Sequence, residues 1–271
     1  MSHSIAIYNF KGGVGKTTTA INLGISWSRS FKVLLIDFDP QSNLSNSISI
    51  SRSRQTTYSA VKNILHDHPL NLEPTEITPY LHLIHGDFLM TEFESNNQFI
   101  SFGSSIISDL ISQVKGDYDF IIMDCPTNFG VLVKSIIRSS QNILIPAIAD
   151  NFSITGIQQL MTYIAASNND SLNILGIFFN MFNGQLKLSQ EKFNDAKQKF
   201  GQLILENTVS RSIKVGEAND IGQSVSEYSP DNSAAKDFVK LSDELLAKFH
   251  TTSLNEDFII PDLLETISKG V

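Results

Sequence analysis

Between Phe10 and Thr19 the chain reads FKGGVGKTTT, two lysines and a run of threonines threaded through three glycines. Gly12, Gly13 and Gly15 can take backbone angles closed to other residues, so the N–H groups around Val14 can turn toward a single anion. Lys16 then brings a point charge to the β- and γ-phosphates of a nucleotide. Thr17 offers a hydroxyl to Mg²⁺, and Thr18 donates to a further phosphate oxygen. The usual phosphate loop places a glycine six residues before its lysine, but here that position is Phe10. A second lysine, Lys11, sits inside the loop. Its residue type and place leave two readings, a solvated loop lysine or a second cation for phosphate.

A phosphate loop also needs acids near its metal. Asp124 closes the apolar run DFIIMD, which delivers a carboxylate to the edge of a sheet as a water-bridged Mg²⁺ ligand or as a cap of the next turn. Asp37 and Asp39 stand two apart in LLIDFDPQSN. Asp-Pro after a strand is an ordinary turn signal, and it is also a place from which two acids can orient a metal's water shell and an attacking water.

These residues need elements to hold them at one edge. Apolar runs predict strands at 4–10, 32–38, 81–85, 119–124, 142–147, 174–180 and 203–209, several of them continuous enough to be buried on both faces. Amphipathic stretches between them predict helices at 16–29, 57–65, 104–115, 130–139, 153–167, 189–200 and 233–249. The alternation implies an α/β fold, a doubly wound and mostly parallel sheet flanked by helices. We expect a single domain over 1–271, with 250–271 as a C-terminal tail. The serine-rich stretch 42–59 reads as a surface loop, and 227–235 as a polar lead into the last helix.

Composition narrows the function classes. With 41% hydrophobic and 18% charged residues among 271, the chain is an ordinary globular one. Its net charge of −8 provides no global field for nucleic acid, so any such binding must come from a local basic patch or an assembled form. One cysteine, Cys125, excludes an internal disulfide and suits a reducing cytoplasm, and it reads as a small buried hydrophobe. MSHS runs straight into IAIYNF without a signal-peptide pattern, and no apolar run is long enough to span a bilayer. The tail NEDFIIPDLLETISKGV is apolar, but its polar positions are acidic and Pro261 interrupts it. That is the wrong sign for anionic lipid, so no membrane partner is expected.

KGGVGKTTTAINLG, VLLIDFDPQSN, YDFIIMDCPTNFG, NILIPAIADNFSITGIQQL, ILGIFFNMFN and SIKVGEA follow one another in an order that resembles the ParA family of partition ATPases. The resemblance runs from about residue 4 to 249 and points to the short, Soj-like form. It extends to the wider group of deviant phosphate-loop ATPases that includes MinD and the nitrogenase iron protein. An iron–sulfur function like that last one needs paired cysteines, which a chain with one cysteine lacks.

The resemblance implies MgATP as cofactor and a homodimer with ATP sandwiched at its interface. Lys11 would be the signature lysine that reaches the phosphates of the other subunit, offsetting repulsion between two acidic chains around two triphosphates. Asp39 would position the attacking water and Asp37 would support the metal. Asp124, with Pro126 and Gly130, would form the γ-phosphate-sensing switch. Asn180 would read adenine, its alternative being a turn asparagine at a strand end.

Relatives bind DNA non-specifically as ATP dimers, which implicates Arg211, Lys214, Lys236 and Lys240. Asp231 and Ser233 depart from a basic family motif there. Lys236 and Lys240 otherwise read as a solvated helix face with an internal ion pair to Glu244. A separate activator of the ParB type, nucleoid association in the ATP state and slow hydrolysis are further implications. The short form implies no operator-binding domain. The alternative is a MinD- or McdA-like ATPase that positions a protein assembly.

Overall fold

The computed structural model describes residues 2–48, 55–70, 72–167 and 171–251. In chain order these form β1 (His3–Ile7), α1 (Lys16–Trp27), β2 (Val33–Asp37), α2 (Asn43–Ile48), α3 (Thr57–Leu65), β3 (Thr75–Thr78) and β4 (Leu81–Ile84). A 3₁₀ turn (Phe88–Glu94) leads to α4 (Asn97–Val114), β5 (Phe120–Asp124), α5 (Val131–Ser139), β6 (Asn142–Ala147), α6 (Asn151–Ala166) and β7 (Asn173–Phe179). The described residues then form α7 (Lys187–Phe200), α8 (Ile213–Asp220), α9 (Val225–Tyr228) and α10 (Ser233–Thr251).

The strands make one seven-stranded sheet in the order β3-β4-β2-β5-β1-β6-β7. All neighbours are parallel except the edge pair β3–β4. Side chains alternate across the sheet, so β1 sends Ile5 and Ile7 to one core and Ala6 to the other. The Ile5 face packs on α1, α2 and α10, and the Ala6 face on α3 to α7. With helices on both faces the central strands read as unbroken apolar runs, the doubly wound pattern the sequence implies.

Three expectations need correction. Segment 203–209 is not a strand. It meets β7 at an isolated bridge between Ile204 and Ile177 and through the N–H groups of Leu205 and Val209, which donate to the Ile177 and Phe179 carbonyls at 2.8 Å, without forming a continuous ladder. The backbone N–H groups of Glu206 and Asn207 go to the Glu244 carboxylate of α10, not to a neighbouring strand. The seventh strand is β3, a polar, half-exposed edge element with a register shift, flanked by prolines that obscured it. The expected loop 42–59 is helical at Asn43–Ile48 and from Thr57 onward, although 49–54 lie outside the described residues. Of the expected tail 250–271, residues 250–251 belong to α10 and 252–271 also lie outside the described residues.

The last helix is fastened to the first. Trp27 of α1 is almost fully buried, stacks against Phe120 and donates its indole N–H to Ser242 Oγ of α10 at 2.9 Å. Ser242→Ala leaves that N–H buried and unpaired. It is expected to lower unfolding stability by about 1–3 kcal/mol, read as a fall in the urea midpoint at unchanged m-value.

Candidate functional site

Parallel strands bring their carboxyl ends to one edge, and the sheet order decides which ends meet there. Asp37 and Asp124 are register partners at the ends of β2 and β5, and Asp124 is also level with Ile7 of β1. The glycine loop leaves β1 directly beside them. Ligands of open α/β sheets bind at such an edge, where successive connections part to opposite sides.

The loop is fixed before any ligand arrives. Gly15 sits at φ 93°, and a Cβ there would lie 2.1 Å from Asn180 Nδ2. Both the left-handed backbone and the close approach therefore require glycine. Asn180 uses that nitrogen to donate to the Val14 carbonyl at 2.9 Å, while its Oδ1 accepts from Met181 N–H. The geometry ties Asn180 to the loop backbone, with both polar atoms of the amide engaged locally. Thr18 Oγ1 accepts from Asn219 Nδ2 of α8 at 2.9 Å, which leaves the threonine proton to point elsewhere.

Lys16, 7% exposed, donates to the carbonyls of Asn9 and Lys11 and to Thr127 Oγ1 at 3.3, 3.3 and 3.1 Å. Burial lowers its pKa, and the charge of Asp124 nearby opposes that shift. Thr17 Oγ1 donates to Asp124 Oδ2 at 2.6 Å. The other carboxylate oxygen of Asp124 is buried and has no hydrogen-bond partner among the described residues. Desolvation, with Asp37 adding to it, holds this carboxyl well above the usual range. An orphaned carboxylate oxygen beside a threonine hydroxyl fits a hydrated divalent cation, since Mg²⁺ takes one or two protein oxygens and fills its shell with water and phosphate.

Asp37 behaves differently. Its Oδ2 accepts from the Ser45 N–H and hydroxyl at 2.9 and 2.6 Å, and its Oδ1 from Asp39 N–H at 3.1 Å. Burial pushes its pKa up to about 6 against these bonds. The structure thus brings Thr17 and Asp124 into contact, and Asp37 accepts from the backbone that carries Asp39. Asp39 is partly exposed and folds its Oδ1 back onto Gln41 N–H. With Gln41, Thr127 and Asn128 it lines a cleft of about 270 Å³.

Lys11 has a partner that sequence spacing did not reveal. Its ammonium forms an ion pair with Asp150, which also caps α6 through Ser153 N–H, and it lies 5.9 Å from the centre of the Phe152 ring. Burial would raise the Asp150 pKa, but the Lys11 and Ser153 bonds outweigh it and hold the carboxyl below its ordinary value. Phe152 is 81% exposed beside the loop. Thr127, Asp150 and Asn219 are the contacts that the sequence reading missed. Asp150 alone had a legible local signal, an acid three residues before Ser153 at a helix start.

The expected nucleic-acid residues divide. Arg211, Lys236 and Lys240 are exposed. Two acids near that face are turned inward, Asp237 to Ser210 and Glu244 to the 206–207 backbone, while Asp243, three residues after Lys240, stays exposed beside the lysines. Glu244, the acid of the alternative helix-face reading, is engaged by that backbone and makes no ion pair with Lys236 or Lys240. Lys214 is instead paired with Glu217 at 2.7 Å and lies against Tyr228, so its charge is largely offset.

A family model described as an AAA domain matches residues 2–177. The chain is 29% identical over 92% of its length to the chromosome-partitioning ATPase Soj of Treponema pallidum, covering 98% of that protein. It is 30% identical over 90% of its length to the chromosome partitioning protein ParA of Caulobacter vibrioides, covering 94% of it. In fold it is similar to Cyanothece McdA in an ATP complex, with TM-score 0.76, 24% identity and coverage of 90% and 96% of the two chains.

Proposed function

From a chain that belongs to the ParA family of P-loop ATPases, we propose an ATP-gated switch that dimerises around MgATP, binds DNA non-specifically as the dimer and releases it on hydrolysis. Its cycle segregates a plasmid or chromosome together with a ParB-type activator, which speeds a slow intrinsic turnover, and it places the ATP state on the nucleoid. The observation that carries this reading is the Thr17–Asp124 pair beside the buried Lys16 at the mouth of β1 and β5.

In this account the Gly12–Gly15 backbone cradles the phosphates, and Lys16 exchanges its loop carbonyls and Thr127 for β- and γ-phosphate oxygens. Mg²⁺ held at Thr17 and Asp124 would supply charge neutralisation to the phosphate oxygens. Thr18, already accepting from Asn219, has its proton free for a further phosphate oxygen. Asp39 accepts a hydrogen bond from the attacking water and aims it at the terminal phosphorus. Lys11 leaves Asp150 for the phosphates of the second subunit, a denser anion than one carboxylate. Attack of water yields ADP and phosphate, removes that anion, and lets the dimer part.

DNA binding is the step to test. The Asp39→Ala variant, which holds the ATP state, is expected to be retained on non-specific duplex with ATP and not with ADP. Its retention should fall with rising salt, and Arg211→Ala should reduce the slope of log affinity against log salt by about one for each subunit bound. Equal retention in both nucleotide states, or none in either, would move the account to positioning of a protein assembly on another surface.

A further inference from the structure

The five residues between Asp124 and Gly130 carry the γ-phosphate switch in the reading above, and they are held at three points. Asp124 holds the start through Thr17. Thr127 is held in the middle by Lys16 Nζ and, at its carbonyl, by the Tyr8 hydroxyl at 3.4 Å. The third contact comes from outside the phosphate site. The N-cap of helix α5 is Gly130, which has no side chain to satisfy the first free N–H groups. Glu94, at the end of the 3₁₀ turn, satisfies them instead. Its two carboxylate oxygens accept from Val131 N–H at 2.7 Å and Leu132 N–H at 3.4 Å. A negative charge at that point also complements the helix dipole.

The fit leaves no slack. A Cβ added at Gly130 would lie 2.0–2.3 Å from the Glu94 carboxyl group, so the close approach requires glycine. The turn that carries Glu94 is itself anchored. Its cap Asp87 accepts from Leu89 N–H and from the Thr56 hydroxyl, Glu92 accepts from the Tyr58 hydroxyl, and Met90 and Phe93 are buried. Glu94 also borders the same cleft of about 270 Å³ as Asp39, Thr127 and Asn128. When a nucleotide draws Lys16 toward its phosphates, the Thr127 side chain is released, while the Tyr8 contact to its carbonyl and the two ends remain.

We infer that Glu94 is a positioning residue for hydrolysis, the fixed pivot on which the 125–130 segment turns when Lys16 lets Thr127 go. The inference rests on the P-loop reading of the site. Glu94 gives its oxygens to backbone and touches no reacting atom, so its effect falls on the rate of the chemical step. ADP, which lacks the γ-phosphate the segment senses, binds as before.

The test compares the full-length parent with Glu94→Ala, Glu94→Gln and Gly130→Ala, reading kcat and KM for ATP and the Kd for ADP. Glu94→Ala is expected to lower kcat about tenfold or more while ADP affinity changes less than about twofold. Gly130→Ala pushes the intact carboxylate away from the other side and should reproduce that loss. Glu94→Gln keeps one acceptor for Val131 N–H and should recover most of the rate. A kcat for Glu94→Ala within about twofold of the parent overturns the inference, as does a parallel loss of ADP affinity that Gln does not restore. A parent protein that turns over no ATP overturns the P-loop reading and the inference with it. With an active parent, failure of Glu94→Ala to slow the reaction overturns the inference alone.

Discussion

Lys16→Ala is expected to bind ATP at least about a hundredfold, and ADP at least about tenfold, more weakly than the parent in a nucleotide titration. The side chain is buried and already oriented by the carbonyls of Asn9 and Lys11, so little further ordering accompanies its contact with phosphate. A charge-assisted bond is worth about 1.5–3 kcal/mol, and Lys16 is placed to make such bonds to two phosphates of ATP and one of ADP, which gives losses of about 3–6 and about 1.5–3 kcal/mol. Both nucleotides suffer because the β-phosphate is common to them. The fold should persist, since Lys16 contributes to no apolar cluster and its removal leaves Thr127 with a hydroxyl that can turn to water. Affinities within tenfold of the parent would contradict the assigned role.

The second large effect separates two lysines five residues apart. Lys11→Ala is expected to keep ADP and ATP affinity within a few-fold of the parent and to lose the ATP-dependent dimer, measured by sedimentation of the Asp39→Ala form. In the monomer Lys11 is committed to Asp150 on α6, away from the acceptors that Lys16 uses, so its removal takes nothing from the bound phosphates of its own subunit. Across a dimer, each lysine would meet phosphate in a site screened from water. Removing one partner of such a pair costs about 3–5 kcal/mol, and the two-fold arrangement doubles the loss. Dimer affinity should therefore fall by at least about a thousandfold.

Much of this site is legible in the sequence because its parts are local. The loop from Lys11 to Thr18 is contiguous, and Asp124 announces itself as the acid that ends an apolar strand. The missed contacts join residues that are far apart in the chain and adjacent only through the sheet order. Lys11 meets Asp150 because β6 lies beside β1. Asn219 meets Thr18 because α8 packs against α1.

Asn180 falls at the strand end as expected, but a side-chain amide can bond the Val14 carbonyl as well as a base, and residue type does not distinguish the two. The same ambiguity explains the apolar stretch 203–209. It has the composition of a strand, and Leu205 and Val209 do bond β7, yet the N–H of Asn207 between them goes to a carboxylate from α10 and the ladder is broken there. Edge strand β3, polar and bounded by Pro74 and Pro79, offered no apolar alternation to read.

Whether Lys11 acts across the dimer is most directly tested by mixing subunits. A Lys16→Ala subunit binds no nucleotide but retains Lys11. A Lys11→Ala subunit binds nucleotide but lacks the lysine. Mixed in equal amounts with ATP, they can build one composite site, with nucleotide on the Lys11→Ala subunit and Lys11 supplied by the other. Hydrolysis and dimer formation absent from either variant alone should then appear in the mixture. If the mixture shows only the sum of the two separate variants, Lys11 serves the phosphates of its own subunit and the trans account is wrong.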